Sequence, residues 1–68
     1  MSDPISPEHY TALDPEPLDV IVAWGLDFLR GNVLKYVARA TRKGDELNDL
    51  RKARSYLDRA IKELEKGR

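Results

Sequence analysis

From residue 18 onward, apolar positions recur at helical spacing, and the residues between them divide the chain into three helices. Pro17 suits the first position of a helix. The segment Leu18, Val20, Ile21, Val22, Ala23 and Trp24 is almost wholly apolar and stops at Gly25, which predicts a short, central first helix. Asp27 can cap a second helix from about Phe28 to Thr41, with Arg42, Lys43 and Gly44 forming a favourable C-terminal end. Gly31 falls inside that helix, where glycine costs ~1 kcal/mol relative to alanine, so it marks a close-packing point or an irregular helix start. Asp45 is the expected cap of a third helix that runs to about Glu65 before Gly67, with Glu46 and Asp49 favouring its positive N-terminal dipole. Leu47, Leu50, Ala53 or Arg54, Leu57, Ile61 and Leu64 form a narrow seam on it, able to pack within the chain or between chains.

The first 17 residues are different. They hold all four prolines and no apolar period, so the expectation is an extended arm over 1–17 and a three-helix domain over 18–66. Ile5, His9, Tyr10 and Leu13 are more apolar than a linker requires, which predicts packing of the arm on its own body or on a neighbouring subunit. A chain of 68 residues buries too little apolar surface to be robust alone. With no cysteine and a single histidine, neither disulfides nor a structural zinc can supplement the core. The fold class expected is therefore all-α, assembled as a homo-oligomer anywhere from a dimer to a hexamer, with a tetramer favoured. The lack of cysteine, of a signal peptide and of any apolar run near 18 residues predicts a cytoplasmic protein with no membrane partner.

Charge narrows the choice of partner. Twelve basic and twelve acidic residues balance, which argues against a nucleic-acid duplex and requires any anion site to be local. On a helical wheel Leu29, Val33, Tyr36, Val37 and Ala40 share one side of the second helix, while Asn32, Lys35, Arg39, Arg42 and Lys43 fall together opposite or beside it. No carboxylate interrupts the segment between Phe28 and Gly44, so this stripe can meet phosphate oxygens, Arg39 bidentately and Lys35 as a point charge. The competing reading is an ordinary solvated face. Trp24, Tyr36 and Tyr56 add surfaces on which bases could stack, although each alone also suits a core.

Catalytic patterns are not evident. His9 has no second His or Cys with which to hold a metal. Asp45, Glu46 and Asp49 could share a magnesium ion on one turn, but helix capping accounts for them and the second helix supplies no facing carboxylates. Arg42-Lys43-Gly44-Asp45 lacks the glycine spacing of a phosphate loop, and no strand precedes it. No catalytic residue, metal ligand or cofactor is expected.

Several motifs occur in order: Pro7-x-His9-Tyr10, Asp19-Val20-Ile21-x-x-Trp24-Gly25-Leu26, Gly31-Asn32, Lys35-Tyr36-x-x-Arg39-Ala40, Lys43-Gly44, and Asp49-Leu50-x-Lys52-Ala53-x-x-Tyr56-Leu57. Over about residues 6 to 62 the chain resembles a small phage-encoded domain of unknown function often labelled "nucleotide kinase", and it is similar in kind to the Sequestin sponges that sequester cyclic nucleotide signals. The resemblance implies a nucleotide ligand and points to His9, Tyr10, Trp24, Asn32, Lys35, Tyr36, Arg39, Lys43, Lys52 and Tyr56. Lys35, Arg39 and Lys43 would neutralise phosphates. Tyr10, Tyr36 or Trp24 would stack on bases, and Asn32 or His9 would hydrogen-bond a base edge or ribose. The leading expectation is a non-catalytic protein that holds a nucleotide, such as a cyclic dinucleotide of bacterial anti-phage immunity, between subunits in the bacterial cytoplasm. The alternatives are a nucleotide kinase or other phosphotransferase, and a helical adaptor that binds a host protein through the Leu47 to Leu64 seam.

Overall fold

The structure is a computed structural model, which describes residues 14–42 and 44–67. The described residues form three helices and no strand: α1 (Pro17–Trp24), α2 (Phe28–Ala40) and α3 (Glu46–Lys66). None of these helices is long and apolar enough to cross a membrane.

Local chemistry accounts for the first two boundaries. Pro17 occupies the first turn of α1, where its missing N–H costs nothing. Gly25 ends α1 with φ +64°, a left-handed conformation that side chains disfavour. Its N–H donates to the Val22 carbonyl at 3.2 Å and that of Leu26 to the Ile21 carbonyl at 3.0 Å, the pair of bonds that defines a Schellman stop. Asp27 caps α2 by accepting from the Arg30 backbone N–H at 2.8 Å, and its other carboxylate oxygen pairs with the Arg30 guanidinium. This bonding, led by the Arg30 N–H, holds the Asp27 carboxyl below its ordinary pKa.

The third boundary departs from expectation. Asp45 stands at the N-cap position of α3 but accepts no capping hydrogen bond, because its backbone, at φ −124° and ψ 58°, lies outside the extended geometry that aims a cap side chain at the helix. Helix α3 is stabilised at its other end instead: Glu63 accepts from Arg59 Nε at 2.7 Å, with Lys66 Nζ at 3.6 Å. The Arg59 hydrogen bond, followed by the Lys66 charge, lowers the Glu63 pKa.

Helices α2 and α3 make the main interface, and α1 docks on α2 over a smaller area. Small residues decide both contacts. Ala40, Ala53 and Ala60 are the buried apolar side chains of the α2–α3 pairing. Gly31 is buried under α1, where an added Cβ would come within 3.1 Å of Ile21 Cγ2, so this glycine is the close-packing point. The first helix is not central: Leu18, Val22 and Trp24 are exposed on it, since its short length offers α2 only a narrow contact around Ile21. Val37 is also exposed, not aligned with the inward apolar side of α2, because that helix turns Tyr36 and Ala40 toward α3. Among the described residues no large apolar side chain is fully buried, and a core built of alanines is thin for its length.

Candidate functional site

The side of α2 that meets the middle of α3 carries Phe28, Asn32, Lys35, Tyr36 and Arg39, spaced by three and four residues so that they follow one edge of the helix. From α3, Lys52, Tyr56 and Arg59 approach the same edge, again at helical spacing. The two tyrosines join the helices. The Tyr36 and Tyr56 rings stack with centroids 5.8 Å apart and planes 12° from parallel, and Phe28 meets Tyr56 edge-on at 6.0 Å and 74°.

Three cations surround one ring of this group. Lys35 Nζ lies 4.6 Å from the Tyr36 centroid, Lys52 Nζ 5.4 Å and Arg39 Cζ 5.5 Å. Each cation–π contact contributes about 0.5–1 kcal/mol at such exposed sites, but three like charges around one aromatic also repel each other. An anion placed among them would relieve that repulsion. Beside the rings opens a cavity of about 510 Å³, lined by Phe28, Leu29, Tyr36, Tyr56, Ser55, Lys52 and Arg59. No carboxylate lines it among the described residues. The arrangement offers flat apolar surfaces for a base, cations for phosphate and the Ser55 hydroxyl as a hydrogen-bonding group.

Six of the ten residues expected from the sequence thus gather here: Asn32, Lys35, Tyr36, Arg39, Lys52 and Tyr56. Lys35 and Arg39 are half-buried against aromatic carbon, so the basic stripe is not simply a solvated face. The Asn32 side-chain nitrogen donates to the Phe28 carbonyl at 2.8 Å, leaving its oxygen to accept a donor from a ligand. Trp24 does not belong to this cavity in the single chain, standing 69% exposed at the end of α1. His9, Tyr10 and Lys43 lie outside the described residues.

The sequence reading missed Phe28, Leu29, Ser55 and Arg59 as site residues, placing Leu29 only on the apolar side of α2. A signal was available for Phe28, which precedes Asn32 and Tyr36 at the same four-residue step, and for Arg59, which follows Lys52 and Tyr56 on the same face by a step of three. Ser55 becomes relevant only through the pairing of the helices.

The acidic turn at the start of α3 does not form a shared ligand set. Asp49 is turned inward and is 2% exposed, while Asp45 and Glu46 are exposed, and the described residues contain no group of three His, Cys, Asp or Glu side chains positioned to hold a metal. Asp49 Oδ2 has no hydrogen-bond partner among the described residues, an unusual condition for a buried carboxylate.

Comparison with known proteins adds one relationship. No curated protein and no solved structure matches the chain. A family model for proteins of unknown function, DUF3310, matches residues 5–58, a span that includes α1, α2, the lower two thirds of α3 and every site residue except Arg59. The chain belongs to the DUF3310 family.

Proposed function

We propose that the protein binds a nucleotide on the aromatic and cationic edge of α2 and α3 and sequesters it without chemical change. The observation that carries this reading is the convergence of Lys35, Arg39 and Lys52 on the Tyr36 ring, which is itself stacked on Tyr56. Phosphate and base are the charged and the flat parts of a nucleotide, and this edge offers a complement to each. A cyclic dinucleotide of bacterial anti-phage immunity, the ligand class implied by the sponge-like resemblance, would place two phosphates near three cations. The cavity is built by α2 and α3 of one chain, so ligand binding does not require a second subunit to supply these residues.

The test is a thermal-shift panel of mono-, tri- and cyclic dinucleotides with and without magnesium, followed by heat denaturation and mass analysis of the released ligand. Stabilisation by a cyclic nucleotide that is recovered intact is the expected result. Altered nucleotide would instead establish a phosphotransferase or hydrolase, and no shift with any ligand would overturn the reading. Arg39→Ala and Tyr36→Ala should each weaken binding ~10-fold or more, the loss of one charge-assisted contact or one stacking surface.

A further inference from the structure

Helix α3 carries a second seam that the described residues leave exposed. Leu47, Leu50, Arg54, Leu57, Ile61 and Leu64 follow each other at steps of 3, 4, 3, 4 and 3 residues, an unbroken heptad pattern of core positions. Its five apolar members are each 43–60% exposed, although they are the largest apolar side chains of the helix after Tyr56. They stand on a different side of α3 from Asp49, Ala53, Tyr56, Ala60 and Glu63, which face α2, and nearly opposite Lys52 and Arg59.

We propose that this outer seam is a homodimer interface in which α3 pairs antiparallel with α3 of a second copy. Self-pairing is favoured by register. In the antiparallel arrangement Leu47 meets Leu64 of the second copy, Leu50 meets Ile61 and Arg54 meets Leu57, so every core layer is filled by one residue from each chain. Charge supports the same alignment. Arg51 and Asp58 flank the seam on its solvent side and take part in no ion pair among the described residues. Antiparallel pairing puts Arg51 within about two residues' rise of Asp58 of the second copy, twice by symmetry. The guanidinium of Arg54, on its apolar stem, also reaches the height of that Asp58.

A parallel dimer would place Arg54 against Arg54 in one core layer, bringing like charges together. The other flank is closed to a partner by α2, which packs over Ala53 and Ala60. The nucleotide edge points away from the seam, so the dimer presents two such edges on opposite outer sides. This inference does not depend on what binds there.

The full chain, which contains no native cysteine, allows a direct test of orientation. Sedimentation across a concentration series should show a dimer. Ile61→Asp should raise its dissociation constant at least ~100-fold while the circular dichroism remains helical, since the two symmetry-related layers in which Ile61 meets Leu50 each lose an apolar contact and gain a charge. Arg51→Asp or Asp58→Arg alone should weaken the dimer ~5-fold, and the double exchange should restore it, because the reversed pairs are regenerated only in the antiparallel register. Under oxidation, a mixture of Leu47→Cys chains and Leu64→Cys chains should form mixed disulfide dimers. Disulfides within the Leu47→Cys population alone would overturn the antiparallel assignment. A wild-type monomer at all concentrations would overturn the dimer; if Ile61→Asp then unfolded that monomer, a segment of the same chain would be the occupant.

Discussion

The two seams of α3 have the same helical spacing and opposite chemistry. The inner seam, facing α2, is made of Ala53 and Ala60 with Tyr56 between them and Asp49 and Glu63 on either side, while the outer seam holds the leucines and Ile61. Apolar area alone would have assigned the leucines to the interior. The alanines are inside because small side chains let two helices approach closely enough to bring Tyr36 over Tyr56. The strongest hydrophobic pattern of α3 therefore lies on its outward face, not on the face that meets α2.

Substitutions can test this difference, beginning with the inner seam, where the effect is largest. Ala53→Leu or Ala60→Leu should cost ~1–3 kcal/mol by overpacking. Thermal unfolding should detect this as about 4–8 °C per kcal/mol, independent of protein concentration. Ile61→Asp, by contrast, should lower the unfolding temperature only through the concentration-dependent part. If both classes of variant responded equally to dilution, the distinction between the seams would fail.

The α1–α2 contact comes next. Gly31→Val would place a branched side chain against Ile21 Cγ2, already 3.1 Å from an added Cβ, and should cost ~1–3 kcal/mol. Gly31→Ala should cost less, because the gain in helix propensity of ~1 kcal/mol opposes the crowding. Equal stability of the wild type and Gly31→Val in urea unfolding would show that α1 is not docked there.

The helix caps provide a smaller contrast. Asp27→Ala should lower the melting temperature by a few degrees, because the Arg30 N–H loses its acceptor. Asp45→Ala should leave it nearly unchanged, because that side chain makes no cap bond. Calorimetry of the two variants side by side measures the difference.

The smallest effect concerns pH. The Asp27 and Glu63 carboxyls both titrate below their ordinary values of 3.8 and 4.5. Their contribution is therefore fully present above those values and is lost as the pH falls through the depressed ones. Denaturant midpoints should be level down to about pH 5 and then decline. The decline should be shallower in Asp27→Asn, and an identical acid slope in that variant would exclude Asp27 as a contributor.

Much of this organisation was legible in the residues themselves. Pro17, Gly25, Asp27 and Gly67 mark helix ends through backbone chemistry that acts over three or four residues, and so the three helices were readable without knowing what they touch. The basic stripe and the tyrosines were legible for the same reason, since their spacing is a property of one helix. Local pattern was misleading at Asp45, whose residue type suits a cap but whose backbone turns it away, and at α1, whose apolar composition suggested a central position. It could not choose between Ala53 and Arg54 for the inward face of α3. Nor could it show that Lys52, across the interhelical gap, completes a ring of charge begun by Lys35 and Arg39. Those outcomes depend on rotation and distance between helices, which are set when Gly31 admits Ile21 and the alanines admit α2. The sequence determined the helices and the chemistry each one carries; the tertiary structure decided which faces meet, because close packing selects for shape as well as for hydrophobicity.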